Sequence, residues 1–555
     1  MKTVDYLVEI LNKYGATDAF GIPGGVILDL VYSLNSKKSK VQPHLNYHEQ
    51  MAGFAACGYA RASGRLGVAY ATRGPGICNL VTCIAEAYQE SLPVLFITAH
   101  GKRSSMGTRV DDNQELDIVD IAKSITKYSI AIEKAEDLKH IKTACEIATN
   151  GRKGPVLLDF SASLWQIEIT EEMPYVPTGQ IKEEVSFNEI TADIKAQLKI
   201  SKRPLILIGD GLRYSTALDK IRAVAERMNV PILSSRGSQD LLCGIKNYFG
   251  YIGSHGIRYS NFILSKADYI ISIGNRLAFP IESKSFNCFV KNIRWTRIDI
   301  DKNEFSRKIG NAHSFEMDAG HFIDYLFEKN INIPDFYQDW LKTCSEIKSM
   351  LFVTDCIAVT DELTEMISAD TSNSVYVTDV GNNEFWFSRA YEKAQKKGIV
   401  LASKSFGTTG SAIGKAIGAY YAVKKPITCV IGDQGFQFNL QELSYIAQWK
   451  LPIRIIVINN QSSGMIADFE TKRFDNKFHV SASNGYKAVD IRRIAIAYEI
   501  EYLNKWQSRY CDKPYIYEIK ESDGDSLIPY LPKGNSCQNL EPSLPDELFV
   551  YLESL

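Results

Sequence analysis

The sequence predicts an α/β protein of three domains, each a parallel sheet covered by helices on both faces. Its 555 residues are enough for three or four domains of roughly 150 residues, each with its own core. Short runs rich in valine and isoleucine recur along the chain: LGVAYAT, LPVLFITA, GPVLLDF, RPLILIGDG, ADYIISIGN, ITCVIGD and LPIRIIVINN. They close on Gly, Asp or Asn and alternate with amphipathic stretches, the pattern of strands buried between two helical layers. Two segments read as linkers. About 168–184 is acidic and carries Pro174 and Pro177, and about 330–354 carries Pro334 ahead of a new series of strands. The expected domains are therefore 1–170, 185–335 and 355–555.

The first element, Met1 to Gly15, places Val4, Leu7, Val8 and Leu11 on one helical face and lacks the apolar block of a signal peptide. No apolar run approaches the ~20 residues of a membrane-spanning helix. Lys and Arg number 63 and Asp and Glu 65, a net charge of −2, so no positive field is available to hold a nucleic-acid backbone. Apolar residues at 45% and charged residues at 23% are globular values. The eleven cysteines include no C-x-x-C pair and lie mostly in apolar stretches such as ITCVIG. Reduced core thiols, a cytoplasmic location and no zinc site are the expectation.

The stretch Ile427 to Gly464, ITCVIGDQGFQFNLQELSYIAQWKLPIRIIVINNQSSG, reads as strand, helix from about Asn439 to Trp449, and strand. Asp433 and Asn460, 27 residues apart, then both emerge at carboxyl ends of parallel strands, where such sheets bind ligands. A carboxylate, a side-chain amide and a loop carbonyl such as that of Ser462 suit octahedral Mg²⁺ completed by phosphate oxygens and water. The implied ligand is a diphosphate. Taken singly, Asp433 also reads as a helix cap and Asn459-Asn460 as a turn. A control lies at Gly209-Asp210-Gly211, where the residue 27 positions beyond the aspartate is Gly237 and no asparagine pair follows.

The G-D-x…N-N pattern resembles the cofactor signature of thiamine diphosphate-dependent enzymes, and GDQGFQFNLQEL is similar to the GDGSFQMNLQEL of the acetolactate synthase group. FGIPGG at Phe20–Gly25, HEQMAGFAACGYARASG at His48–Gly64 and TRGPGICN at Thr72–Asn79 resemble that family's first domain. SFGTTGSAIGKAIGA at Ser405–Ala419, GMI at Gly464–Ile466 and IPYLPKG at Ile528–Gly534 resemble its last. The resemblance runs in order along nearly the whole chain. It implies thiamine diphosphate-binding folds for the first (pyrimidine) and last (diphosphate) domains and a nucleotide fold between them.

By that resemblance Glu49 is the first catalytic candidate: a carboxyl that hydrogen-bonds N1′ of the aminopyrimidine, so that the exocyclic nitrogen acts as internal base. Gly25 and Gln114 line the space above the reactive thiazolium carbon. Pro23, Thr72, Pro75 and Asn79 bracket the pyrimidine. Val380, Gly381, Asn382 and Asn383 stand where the family has V-G-Q-H and meet the diphosphate. Gly407, Thr409, Gly432, Gln434, Gly435, Gly464, Met465 and Ile466 complete the cofactor contacts, with Asp433, Asn460 and Ser462 as Mg²⁺ ligands. Val26, His100, Ala162, Pro280 and Phe469 line the substrate pocket. The resemblance further implies a homodimer or dimer of dimers whose active site lies between subunits. For the middle domain it leaves FAD, ADP and no ligand open.

Departures from the family pattern bear on substrate. The lysine of D-I-P-K-D is replaced at Ala162, and the last arginine of R-F-D-D-R at Pro280. The tryptophan that favours the larger 2-oxo acid acceptor is replaced at Phe469. A fixed arginine–carboxylate pair in a partly dry pocket is worth roughly 1.5–3 kcal/mol, one to two decades in preference. Thr409 replaces a bulky apolar residue, Arg73 the serine of T-S-G-P-G, and His100 a glutamine.

The expected function is therefore decarboxylation of a 2-oxo acid, pyruvate first, with transfer of the acyl unit to a carbonyl acceptor lacking that carboxylate, an aldehyde or keto-sugar. The alternatives are a plain 2-oxo acid decarboxylase or lyase, a non-catalytic regulatory subunit of the same fold, and an FAD- or NAD-linked oxidase.

Overall fold

A computed structural model of the chain describes residues 1–101, 114–169, 186–215, 218–277, 293–306, 309, 311–329, 337–352, 357–370, 375–474, 485–506, 512–521 and 527–555. The first sheet comprises β1 (Asp18–Gly21), β2 (Gln42–Leu45), β3 (Gly67–Tyr70), β4 (Val94–His100), β5 (Tyr128–Ile132) and β6 (Val156–Ser161). The second comprises β7 (Pro204–Ile208), β8 (Ile232–Ser235), β9 (Tyr248–Ile252), β10 (Tyr269–Ile273), β11 (Arg294–Asp299) and β12 (Asn311–Glu316). The third comprises β13 (Val375–Thr378), β14 (Ile399–Ala402), β15 (Ile427–Gly432), β16 (Ile453–Asn459), β17 (Glu501–Leu503) and β18 (Tyr515–Lys520). All strand pairings are parallel.

The strand orders say where ligands belong. The first sheet runs β2-β1-β3-β4-β6-β5 and the third β14-β13-β15-β16-β18-β17, the same order twice. In each, the chain reverses its direction of advance between the first strand and the third. Crossovers there leave to opposite sides, and a crevice opens at the carboxyl ends of β1 and β3, and of β13 and β15. The second sheet, β12-β11-β10-β7-β8-β9, has the dinucleotide-fold order.

The chain forms two compact units, 1–180 with 370–384 and 399–525, and 181–369 with 385–398 and 526–555. The first holds the first and third sheets. In the second unit, Cys537 and Leu552 join the core around the second sheet, so the end of the chain, expected within a domain 355–555, belongs to the middle sheet. The expected linker 330–354 also differs: Gln338–Leu351 is a helix whose Trp340, Cys344, Ile347 and Leu351 enter the same core. Their 3.6-residue periodicity overrides the loop signal of Pro334. Most of the other expected linker lies outside the described residues. No described helix is long and apolar enough to cross a membrane. The eight described cysteines are free, and all but Cys78 are buried.

Within the first unit, the helix Glu49–Ser63 is buried from Met51 to Arg61 and lies against the helix Ala412–Val423 from the third sheet. Glycines let the two backbones touch. A Cβ on Gly58 would fall 2.2 Å from the Lys415 carbonyl oxygen, and one on Gly418 would fall 1.8 Å from that of Ala55. Beside this contact Lys415, 4% exposed, pairs with the fully buried Glu86 and donates to Ser411 Oγ at 2.9 Å. Burial opposes the Lys415 charge, but Glu86 outweighs it and raises the ammonium pKa. Lys415→Met should therefore lower stability by about 3–5 kcal/mol, because a carboxylate is left stranded in the core. Lys415→Met combined with Glu86→Leu should recover most of that loss in denaturant unfolding.

Candidate active site

The first crevice gathers most of the pyrimidine-side candidates. The turn after β1 carries Pro23, Gly25 and Val26, and the turn after β3 carries Thr72, Arg73 and Gly74. The two turns are in contact: a Cβ on Gly24 would lie 2.5 Å from Thr72 Cβ, whereas one on Gly25 would meet nothing within 4 Å. Gly74 caps the helix Pro75–Gln89 with φ 62°, leaving Pro75 at the first helical position, where its missing N–H costs nothing. One turn on, Asn79 donates to Glu49 Oε2 at 2.9 Å. Gly76 underlies the same carboxyl, its notional Cβ 3.4 Å from Glu49 Oε1. Glu49 starts its helix behind His48, whose Nδ1 accepts from the Gln50 amide at 3.1 Å. The structure thus brings Glu49, Thr72, Pro75, Asn79 and Gly25 to one crevice, with Gln114 against Gly74.

The second crevice gathers the diphosphate-side candidates. Gly432 ends β15, and Asp433 is already the first residue of the helix Asp433–Gln437; a second helix, Glu442–Gln448, follows. The helix expected from about Asn439 to Trp449 is present as Glu442–Gln448, and a short helix not expected precedes it because Asp433 itself starts a turn on the strand end. Asp433 is 1% exposed and accepts from the amides of Gln434 and Ser462 and from the Tyr486 hydroxyl. The loops after β15 and β16 meet at this carboxylate. Burial raises its pKa to about 6. Asn460 and Asn382 both flank Gly464, each with Nδ2 2.8 Å from the Cβ that Gly464 lacks. Val380 and Gly381 follow β13; Gly381 has φ 93°, and the Val380 carbonyl accepts from Asn383 Nδ2 at 2.6 Å. Gln434, Gly435, Met465 and Ile466 lie on the two helices that start here, and Gly407 and Thr409 on the loop after β14. Gly407, at φ 73°, has nothing within 4 Å of its Cβ direction.

Among the described residues, the polar atoms buried here without partners include Asp433 Oδ2, both amide atoms of Asn382, and Asn383 Oδ1. Leaving buried polar groups unpaired is costly unless something completes them. An oxygen-rich diphosphate with a hard cation fits this set: Asn382 Nδ2 could donate to a phosphate oxygen, and Asp433 Oδ2 with the amide oxygens of Asn382 and Asn383 could face the cation or its waters. Among the described residues no group of three or more His, Cys, Asp or Glu side chains is arranged to hold a metal ion. A cation here would have to draw on Asp433, Asn460, a loop carbonyl and the ligand's own oxygens.

The substrate-pocket candidates are divided. His100 ends β4 opposite Ser161, the residue before Ala162, and the Val26 carbonyl accepts from Trp165 Nε1 at 2.8 Å. Val26, His100 and Ala162 therefore share one end of the first sheet. His100 is 2% exposed, with Nδ1 2.9 Å from Asp159 and Nε2 3.1 Å from Glu133. Burial alone would lower its pKa, but the two carboxylates raise it. Phe469 lies on the helix Gly464–Phe474 and is exposed. Pro280 lies outside the described residues.

Sequence reasoning gave no role to three carboxylates that support the site, two of them buried. Glu442, in NLQEL, is fully buried; Oε1 accepts from the Tyr47 and His48 amides at 2.8 and 3.1 Å, and Oε2 from Asn46 at 3.2 Å. It grips the residues that precede Glu49, and burial raises its pKa to about 7. Glu90 accepts from the Ser405 and Phe406 amides at 2.5 and 3.3 Å, bracing the loop that carries Gly407 and Thr409. Asp379, at the end of β13, accepts from the Gly410 and Ala412 amides at 2.8 and 3.3 Å. The sequence signal for Asp379 was an aspartate closing a strand-like run; Glu442 and Glu90 act on residues far away in sequence and leave no local signal.

Burial raises the Asp379 pKa to about 7. The folded chain therefore keeps this proton where the unfolded chain has lost it. The stabilising effect is complete below about pH 4 and falls by about 1.4 kcal/mol per pH unit until pH passes about 7. Asp379→Asn should flatten that slope when the melting temperature of cofactor-free protein is followed between pH 5.5 and 8.

Family models agree with this geometry. The N-terminal TPP binding domain of thiamine pyrophosphate enzymes matches residues 1–121, the central domain 191–326, and the C-terminal TPP binding domain 379–524. The acetolactate synthase large subunit of Lactococcus lactis is 30% identical, the match covering 95% of this chain and 94% of that one. A probable acetolactate synthase large subunit of Methanococcus aeolicus is 29% identical over 100% and 98%, and the isozyme 2 large subunit of Escherichia coli 27% over 97% and 98%. With both cofactor crevices built from matching segments, the chain belongs to the thiamine diphosphate-dependent enzymes of the acetolactate synthase type and is a transferase of that carboligating class.

Proposed function

We propose that the protein decarboxylates a 2-oxo acid, with pyruvate as the first candidate, and joins the remaining acyl unit to an aldehyde or keto-sugar. The observation that carries the cofactor part is the set of orphaned buried atoms on Asp433, Asn382 and Asn383 at the β13/β15 crevice. Thiamine diphosphate, when bound, supplies the carbanion-stabilising chemistry that makes loss of CO₂ and carbon–carbon bond formation accessible.

The chain's own residues do the rest. Asp433, Asn460 and the Ser462 carbonyl would hold Mg²⁺, Asn382 Nδ2 would donate to the diphosphate, and Asn383 would line the same crevice. Glu49, oriented by Asn79, would share a proton with N1′ of a bound aminopyrimidine. Thr72 and Pro75 would bracket that ring, and Gly25, with nothing within 4 Å of its Cβ direction, would leave room beside it. Exposed apolar side chains surround both half-sites: Leu28, Tyr32, Leu45 and Tyr47 on one, Phe406, Phe438, Ile466 and Phe469 on the other. Patches of this kind mark surfaces that another protein covers, which supports a second copy of the chain completing each site.

The acceptor reading rests on the sequence departures at Ala162, Phe469 and Pro280, none of which supplies a cation. The test is product analysis with ThDP, Mg²⁺ and pyruvate, with and without added aldehydes. A cross-ligated product with the aldehyde, and little acetolactate from pyruvate alone, is the expected result. Acetolactate from pyruvate alone at biosynthetic rates would remove the acceptor proposal, and absence of CO₂ release from any 2-oxo acid would remove the activity. The absorbance spectrum decides separately on a bound flavin.

A further inference from the structure

Gln114 enters the candidate site in a conformation its own backbone disfavours. Its φ is +66°, in the left-handed region that a residue with a side chain occupies only where its surroundings impose it. Three contacts impose it. Gly74 lies so close that a Cβ there would be 2.7 Å from both Cβ and the carbonyl oxygen of Gln114. The next residue, Glu115, accepts through Oε1 from the Gly101 amide at 3.2 Å and from Arg73 Nη1 at 2.5 Å. The Glu115 side chain is 4% exposed and that of Arg73 20%, so the ion pair is largely withdrawn from water, where such bonds are strongest. The second carboxylate oxygen of Glu115 is buried without a partner, which leaves Arg73 and Gly101 as the groups that retain it.

Arg73 sits between Thr72 and Gly74, at the head of the helix whose Asn79 holds Glu49. A single guanidinium therefore ties the Gln114 segment to the same turn that positions the catalytic carboxyl. Serine, the residue found there in the T-S-G-P-G pattern, is too short to make this tie.

We propose that Arg73 is a positioning residue which, through Glu115, holds Gln114 over the reacting centre and so favours ligation of the acyl unit over its release as free aldehyde. This rests on the function proposed above. Without the clamp Gln114 relaxes toward ordinary backbone geometry, water enters, and the decarboxylated substrate is protonated and leaves before an acceptor reaches it.

The test uses full-length protein with ThDP, Mg²⁺, pyruvate and an acceptor aldehyde. Arg73→Ser and Glu115→Ala should each lower the ratio of ligated product to released acetaldehyde about tenfold while ThDP affinity stays within about threefold. Arg73→Lys and Glu115→Gln should keep that ratio within about threefold of wild type. Combining Arg73→Ser with Glu115→Ala should be no worse than either alone, since both break one link. In cofactor-free protein, amide exchange at 114–118 should quicken about tenfold in Arg73→Ser, with the helix Glu49–Ser63 unchanged. Additive losses, an unchanged product ratio, or a drop in melting temperature and ThDP affinity at constant ratio would each overturn the proposal. If wild-type protein turns over no 2-oxo acid, the function proposed above fails, and the exchange measurement still decides whether Arg73 clamps Gln114.

Discussion

Glu49→Gln should lower CO₂ release from the donor acid by on the order of 10³-fold while ThDP still binds within about tenfold of wild type. Glutamine keeps the size of the side chain and the contact with Asn79, which reaches Glu49 Oε2 at 2.9 Å. It would have no ionisable proton to share with the pyrimidine ring of bound ThDP, so the internal base would not be generated. Steady-state decarboxylation and ThDP titration by tryptophan fluorescence read the two effects separately. Because the carboxyl sits at a helix start behind an intact His48 cap, folding should be untouched. Activity retained in this variant would remove the assigned chemistry altogether.

Asp433→Asn should weaken Mg²⁺-dependent ThDP binding by roughly 100-fold or more, because the one carboxylate among the proposed metal ligands is lost. Cofactor-free stability at pH 7.5 should hold or rise. The reason is in the wild-type site: burial lifts the Asp433 pKa to about 6 from 3.8, so ionisation above that pH works against the fold. Asparagine removes the charge while remaining able to accept from the Gln434 and Ser462 amides. Binding measured by calorimetry and melting of the cofactor-free protein should thus move in opposite directions, the mark of a site built for function at the expense of stability. Parallel losses in both would show that Asp433 is only a structural cap.

The recurring strands were legible because burial on both faces selects uninterrupted valine and isoleucine, and all seven runs named from the sequence lie on strands of the three sheets. The meeting of Asp433 with Ser462 was legible because neighbouring parallel strands must deliver their carboxyl ends to one edge. The helix Gln338–Leu351 was not, since Pro334 outweighed its apolar period. Lys415 stood inside the SFGTTGSAIGKAIGA motif without a role; it pairs with Glu86 beside the place where glycines bring two helices from different sheets into backbone contact. Glu442 stood in a quoted motif without a role, because its partners Tyr47 and His48 lie almost four hundred positions earlier.

The grip of Glu442 on Tyr47 and His48 also governs how the chain can be cut. A fragment ending near residue 180 would keep every strand of its sheet but leave two amides and the Asn46 side chain without their acceptor. It would also bare the apolar flank of the Glu49 helix. Such a truncation should be recovered as aggregate, and adding the complementary piece in trans is the condition under which it should dissolve.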